Sequence, residues 1–328
     1  MKKIELNFMG ARKVTTVVSI LLIIFSIISL ARQGLNLGID FTGGTLVEVG
    51  HTETINLEKV RQSFSNSDFN DVSIQYFGSA KEILIRVPPQ QSLNSADISS
   101  KILNLLSTNN IDVEMRRVEF VGPQVGEELK EDGGLAMLYA LLCIMIYVAL
   151  RFQMRFSVGA VAALVHDVVI TLGFFSFTRF DFDLTILAAL LAVIGYSLND
   201  TIVVFDRVRE NFRKIRDKTP VDVFNISLNQ TLSRTLMTSF TTLLVLIALF
   251  FLGGEIIHGF AIALIFGVLI GTYSSIYIAS PVTLALGIKK EDLMPVKKEG
   301  LDVDSLSLIH ISEPTRRYAI SYAVFCLK

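Results

Sequence analysis

The stretch Val193-Ile194-Gly195-Tyr196-Ser197-Leu198-Asn199-Asp200-Thr201-Ile202-Val203-Val204-Phe205-Asp206-Arg207 decides the fold. It continues an apolar run that begins at Leu184, so an Asn-Asp pair sits inside what otherwise reads as a membrane span. A carboxylate at that depth costs about 2.5–3.5 kcal/mol on insertion scales, and such residues usually line a cavity or an ion path and have a partner. Tyr196, Asp200, Val203 and Arg207 fall on one helical stripe. At 1.5 Å per residue, Asp200 lies about 10 Å inward of Arg207. The alternative is a span that ends earlier, with Asn199 and Asp200 at a water interface. It would leave Thr201–Phe205 without an apolar home.

Five further apolar runs surround this one. The first covers Val14–Ala31 after Lys2, Lys3, Arg12 and Lys13. The others are Leu135–Leu150, Phe156–Phe177, Thr235–Leu252 and Phe260–Leu286. Each is near the ~20 residues that a hydrocarbon core requires. Basic clusters fall at every second end: Arg151 and Arg155, then Arg207 through Lys218, then Lys289 and Lys290. By the positive-inside rule this gives six spans with both termini cytoplasmic. Thr219-Pro220 reads as a helix start, and Val221, Phe224, Leu228 and Leu232 recur at helical spacing. An interfacial amphipathic helix leading into the fifth span is expected there, after a cytoplasmic basic loop, the two together covering residues 207–233.

Residues 35–133 are polar by contrast and hold no run long enough to span. Strands are expected at Thr45–Gly50, Val72–Phe77, Glu82–Val87 and Val113–Val121, with helices at Ile55–Ser67 and Ser95–Ser107. The order β-α-β-β-α-β suggests a ferredoxin-like split unit, and the orientation puts it outside the cytoplasm. The domain plan is therefore 1–34 (N-terminus and first span), 35–133 (outer domain), 134–290 (five-span region) and 291–305 (cytoplasmic tail).

Composition narrows the function classes. Hydrophobic residues make up 51% and charged residues 19%, and the net charge is −1. No broad basic surface for nucleic acid follows from that balance. Cys143 and Cys326 suggest neither a disulfide nor a metal site. His166 has no second histidine at ligand spacing, so no metal or other cofactor is expected. Without GxSxG or HExxH, an intramembrane hydrolase has no support, and no enzymatic activity is expected.

Other candidates accompany Asp200. Asp167, beside His166, is a second acid inside a span. Arg234 sits where the amphipathic helix meets the fifth span; it either snorkels to headgroups or serves as a counter-charge for Asp200. Gly267, Gly271, Ser274 and Ser275, with Ser280, make the sixth run a small-residue face for close helix packing, and Gly195 and Ser197 would serve similarly. Asp40 with Gly43-Gly44 and Gly122-Pro123 flank the polar domain and read as hinges.

These residues resemble a family. Gly38-Ile39-Asp40-Phe41-Thr42-Gly43-Gly44, Val121-Gly122-Pro123, Ala163-Leu164-Val165-His166-Asp167, the Ile194–Arg207 stretch and Gly271-Thr272-Tyr273-Ser274-Ser275-Ile276-Tyr277 are similar to SecF motifs. The resemblance covers about residues 12–290 in order. It implies six spans in an RND-type bundle, one periplasmic domain and residence in the bacterial inner membrane. It also implies work with SecD beside the SecYEG channel, with YajC as a further partner and an unfolded polypeptide as cargo. The family's proton path would fall on Asp200 and Arg234, with Asp167 in another shared motif. Gly195, Tyr196, Ser197, Asn199, Asp206 and Arg207 would support it. The rival reading is an independent RND-type exporter of small molecules, which would need a second six-span half.

The last residues break the pattern. Leu306–Arg316 and Ile320–Lys328 read as translated sequencing-library adapters, so residues 306–328 are set aside from the fold as an artefact.

Overall fold

The computed structural model describes residues 6–288 except 66, 68, 70, 71, 91–94, 109–112 and 216. The expected tail at 291–305 and the adapter-like segment at 306–328 lie outside the described residues.

Six helices are long and apolar enough to cross a membrane. They are α1 (Arg12–Gln33), α5 (Pro123–Arg151), α6 (Met154–Thr178), α7 (Leu184–Lys214), α8 (Pro220–Leu252) and a sixth in three parts. The sixth runs as α9 (Glu255–Ser274), a π-helical turn (Ser275–Ala279) and α10 (Ser280–Ala285). The turn has a local cause: Pro281 has no N–H to give the carbonyl four residues back, and its ring crowds that carbonyl.

The helices differ from the expected runs at their ends. Arg207–Lys214 is not loop but the last two turns of α7. Nothing in it breaks a helix, and Glu210 pairs with Arg207 at 2.7 Å and with Lys214 at 2.6 Å along the helix face. The amphipathic stretch and the fifth span form one helix, α8, started by a capping box between Thr219 and Asp222. Its buried stripe includes Phe224, Ser227, Leu228 and Thr231 and packs on the tail of α7. There Phe212 meets Phe224 edge-on at 6.2 Å, and Asn211 donates to Ser227 at 2.8 Å. Asn225 and Asn229 bind the N-terminal segment at Met9 and Leu6. The helix is thus covered by protein along this stripe. α5 likewise begins at Pro123, twelve residues before the apolar run at Leu135, and carries the chain from the polar domain into the bundle.

In the bundle α6, α7 and α9 take the centre, and α1, α5 and α8 lie outside. The buried residues of α1 are three serines, Ser19, Ser26 and Ser29. Ser29 meets Ser176 of α6 at 2.9 Å, a small-residue seam rather than a greasy one.

The polar domain holds β2 (Gly44–Gly50), α3 (Leu57–Ser65), β3 (Ser73–Phe77), β4 (Ser79–Val87), α4 (Ser95–Thr108) and β5 (Glu114–Val121). The strands form one antiparallel sheet in the order β3-β4-β2-β5. Val47, Val49, Ile83, Ile85 and Val87 point to one face, where Val60, Phe64, Ile98, Ile102 and Leu106 of the two helices cover them. Leu84 and Arg86, alternating with those isoleucines, face the other way, toward the bundle.

Two short elements lay beneath the reach of periodicity. β1 (Asn36–Leu37) pairs in parallel with β6 (Asp181–Phe182). α2 (Ile39–Thr42) is a single turn whose Phe41 joins Phe175, Phe182, Ile186 and Leu187 in a cluster at the end of the bundle next to the sheet domain.

Candidate functional site

Three central helices meet around Asp167. Its side chain, on α6, is fully buried. One carboxylate oxygen accepts from Ser197 of α7 at 2.6 Å and from Ser274 of α9 at 2.7 Å. The other lies 3.0 Å from Nδ1 of His166. His166 is itself buried, its ring lies over Tyr273, and its Nε2 has no partner among the described residues. The Tyr273 hydroxyl donates to the Thr15 carbonyl at 3.0 Å and lies 2.9 Å from Ser19, so the layer reaches α1.

Close helix approach makes these bonds possible. A Cβ on Gly271 would stand 3.0 Å from Cβ of Ser197, and one on Gly267 would overlap Val193. Both glycines thus let α9 rest on α7 where Ser274 can reach Asp167. The π-helical turn begins one residue after Ser274. Of the expected packing residues, Gly267, Gly271, Ser197, Ser274 and Ser275 lie in this contact. Gly195 does not; it has open space beside it.

Asp200 lies one turn beyond Ser197 on α7 and is 3% exposed. Its surroundings contrast with those of Asp167. Oδ2 is buried and has no hydrogen-bond partner among the described residues. The α8 groups near enough to act on this carboxylate are the Thr238 hydroxyl and the Arg234 charge. The Thr238 hydroxyl also lies 2.9 Å from the Thr235 carbonyl and 3.1 Å from that of Arg234. Its one proton is shared between these two carbonyls. Arg234 is exposed and acts through space, not through a bonded ion pair. A ladder of hydroxyls continues nearby, from Tyr196 to Ser239 at 3.4 Å and from Ser239 to Thr272 at 2.7 Å.

The remaining candidates lie apart. Asp206 faces Arg151 at 3.4 Å, and Arg207 pairs with Glu210, both at the basic end of α7. Asn199 is exposed. Asp40, Gly43, Gly44, Gly122 and Pro123 stand at the other end, where the sheet joins the helices. Gly43 and Gly44 have φ of 69° and 125°. A Cβ at Gly43 would stand 2.8 Å from Pro123, and one at Gly44 2.6 Å from the Val87 carbonyl. The pair is thus a packed crossing of three backbone segments. Among the described residues no group of acids, histidines or cysteines is arranged to hold a metal ion.

Two family models match this chain. One, described as the C-terminal part of the protein export membrane protein SecD/SecF, covers residues 101–289, and the other, the SecD/SecF GG motif, covers residues 28–50. The chain is 54% identical to the protein translocase subunit SecF of Vibrio alginolyticus over 92% of its own length and 96% of that protein. It belongs to the SecF family of protein translocase subunits. The SecF of Pseudomonas aeruginosa is 48% identical over 88% of this chain and 94% of its own. Among solved structures the chain is similar to SecDF of Thermus thermophilus, described as a translocon-associated membrane protein. The identity is 38% and the TM-score 0.79. The likeness covers 86% of this chain and 39% of that longer one. A second SecDF structure, in a super-membrane-facing form, scores 0.65 at the same identity.

Sequence reasoning singled out Asp200, Asp167 and Arg234. It missed that Ser197 and Ser274 are ligands of one carboxylate, and it missed Thr238. The small-residue face was the available signal for Ser274. For Thr238 the signal was its position one turn after Arg234.

Proposed function

We propose that this SecF-family chain acts with SecD to couple the proton motive force to late steps of protein export through the SecYEG channel, with Asp200 as the titrating group. It would sit in the bacterial inner membrane with both termini cytoplasmic and YajC as a further partner. The split sheet domain, with its β-α-β-β-α-β order, is read as a ferredoxin-like unit in the periplasm. The observation that carries the mechanism is the unpartnered, buried Oδ2 of Asp200. A buried carboxylate with unmet hydrogen-bonding capacity is poised to accept a proton, because protonation removes the charge that is costly there. Asp167 is chemically different: two hydroxyls and a histidine already serve it. We therefore assign proton exchange to Asp200 and the binding together of α6, α7 and α9 to Asp167.

The step follows from these assignments. With Asp200 ionised, the Arg234 charge holds α8 against α7 electrostatically. Proton entry from the periplasmic side neutralises Asp200 and removes its attraction to Arg234. One charge crossing 100 mV is worth ~2.3 kcal/mol, enough to bias a small two-state motion of the helices. The periplasmic domain passes that motion to an emerging unfolded chain.

SecD has a candidate seat. Ala188, Ala192, Gly195 and Asn199 recur at helical spacing on α7 and are exposed. Small residues with one polar group suit a close helix contact with hydrogen bonding. The exporter reading would need a second six-span half on the same stripe, and the family match favours SecD there.

The test is late export in inverted vesicles carrying SecD and this chain. Asp200→Asn is expected to remove the stimulation by proton motive force while Asp200→Glu keeps part of it. Full stimulation in Asp200→Asn would refute the mechanism.

A further inference from the structure

The sheet domain is fastened to the outer end of α7 by a knot of polar contacts centred on Asp181. The parallel pairing of Asn36 with Asp181 and Leu37 with Phe182 stitches the exit of α1 to the turn before α7. Asn36 adds a side-chain bond to one oxygen of Asp181 at 2.5 Å, and the Gly38 amide donates to the Phe182 carbonyl at 2.7 Å. The other oxygen of Asp181 belongs to the sheet domain. Arg86 of β4 reaches it at 2.8 Å and Gln75 of β3 at 2.9 Å. Arg86 also donates to the Leu37 carbonyl at 3.0 Å. Two residues further on, Asp40 accepts from the Leu184 amide at 3.0 Å, and Asp183 caps the same helix through Ile186 at 2.9 Å. Carboxylates at a helix N-terminus meet its free amides and its dipole, so α7 is gripped by its end.

Magnitude separates this knot from an ordinary surface ion pair. Exposed pairs contribute little. The Arg86 and Asp181 side chains are 18% and 25% exposed and line a cleft of about 600 Å³ between the sheet and the bundle. Arg86 binds two segments at once. Nor does the Gly43-Gly44 crossing offer a free swivel, since Pro123 and Val87 pack against its backbone.

We propose that Arg86 and Asp181 form a latch that makes the sheet domain and α7 move as one body, with Gln75 and Asp40 as supporting positioning residues. What drives α7 rests on the reading of Asp200 above; the latch itself does not. The domain follows the outer end of α7, and its linkers only accommodate the movement.

The experiment uses the full chain with SecD in vesicles, with spin labels at Lys81 on β4 and Thr185 at the outer end of α7, and with proton uptake and late export measured in parallel. In Arg86→Ala and Asp181→Ala the label distance distribution is expected to broaden, and export to fall about five-fold or more while proton uptake stays within about two-fold. The charge-swapped pair Arg86→Asp with Asp181→Arg restores the ion pair but not the bonds to Leu37, Asn36 and Gln75, and is expected to narrow the distribution and recover export in part. Should the single variants fail to fold, Arg86→Cys with Asp181→Cys joined by a short bismaleimide is expected to export normally, because the latch works closed. An unchanged distance distribution, a parallel loss of proton uptake, or arrest of export by the cross-link would overturn the latch. If Asp200→Asn leaves export and proton uptake untouched, the proton reading falls, and the label distances still decide the latch.

Discussion

Two carboxylates on neighbouring helices lie close together, Asp167 bonded to Ser197 and Asp200 one turn beyond Ser197 on the same helix. Asp167 is saturated with partners, whereas Asp200 keeps one oxygen bare. Substitution should separate them. Asp167→Ala strands the Ser197 hydroxyl and Nδ1 of His166 in a dry interior, leaves Ser274 only the Gly271 carbonyl, and opens a void between α6, α7 and α9. It is expected to cost about 2–4 kcal/mol, read as a lower unfolding midpoint in detergent. Asp200→Asn, which leaves shape unchanged and removes an ionisable group, is expected to unfold no earlier than the native chain. An equal loss in both variants would contradict the division of roles. Asp200 was legible in the sequence because an acid in an apolar run is costly wherever it lands. Its helix neighbours were not. Ser197 and Ser274 stand 30 and 107 residues from Asp167, and only the packed register of three helices shows that they share one oxygen.

Helix ends and helix contacts carry their own expectations. Six apolar runs gave six spans, since hydrophobic length is a local property. Their ends were less legible. α7 runs through the basic residues to Lys214, and at 31 residues it exceeds what ~30 Å of hydrocarbon needs, so its last turns stand clear of the membrane core. The Thr219 box that starts α8 is worth about 1 kcal/mol. Thr219→Ala should speed hydrogen exchange of the first-turn amides of α8 about five-fold, and unchanged exchange would show that the packing on Phe212 holds the end by itself. Gly267→Leu should lower the unfolding midpoint by an amount equivalent to about 1–3 kcal/mol, because Val193 has nowhere to go. The strands of the sheet domain were readable from alternation, as Ile83 and Ile85 inward and Arg86 outward attest. β1 and β6 have two residues each, too few for any period, and they decide how the domain meets α7.

For the whole molecule, membership in the SecF family rests on a long match at high identity. The open stripe along α7 then becomes the proposed seat of SecD. Gly195→Leu fills that stripe and is expected to reduce co-purification of SecD while leaving the thermal stability of the isolated chain unchanged, since nothing in this chain lies against Gly195. Retained co-purification would move the contact elsewhere. The charges of the Asp181 knot gave no sign in the sequence. An aspartate in a short polar turn and an arginine on a strand face look like solvated groups until the fold brings them within 2.8 Å.

On the proposed mechanism Asp200 itself takes up the proton. Infrared difference spectra across a pH step on the SecD-bound chain in lipid test this most directly. Acidification is expected to give a protonated-carboxyl band that is lost in Asp200→Asn and kept in an Arg86→Ala chain. The same band at full intensity in Asp200→Asn would contradict it.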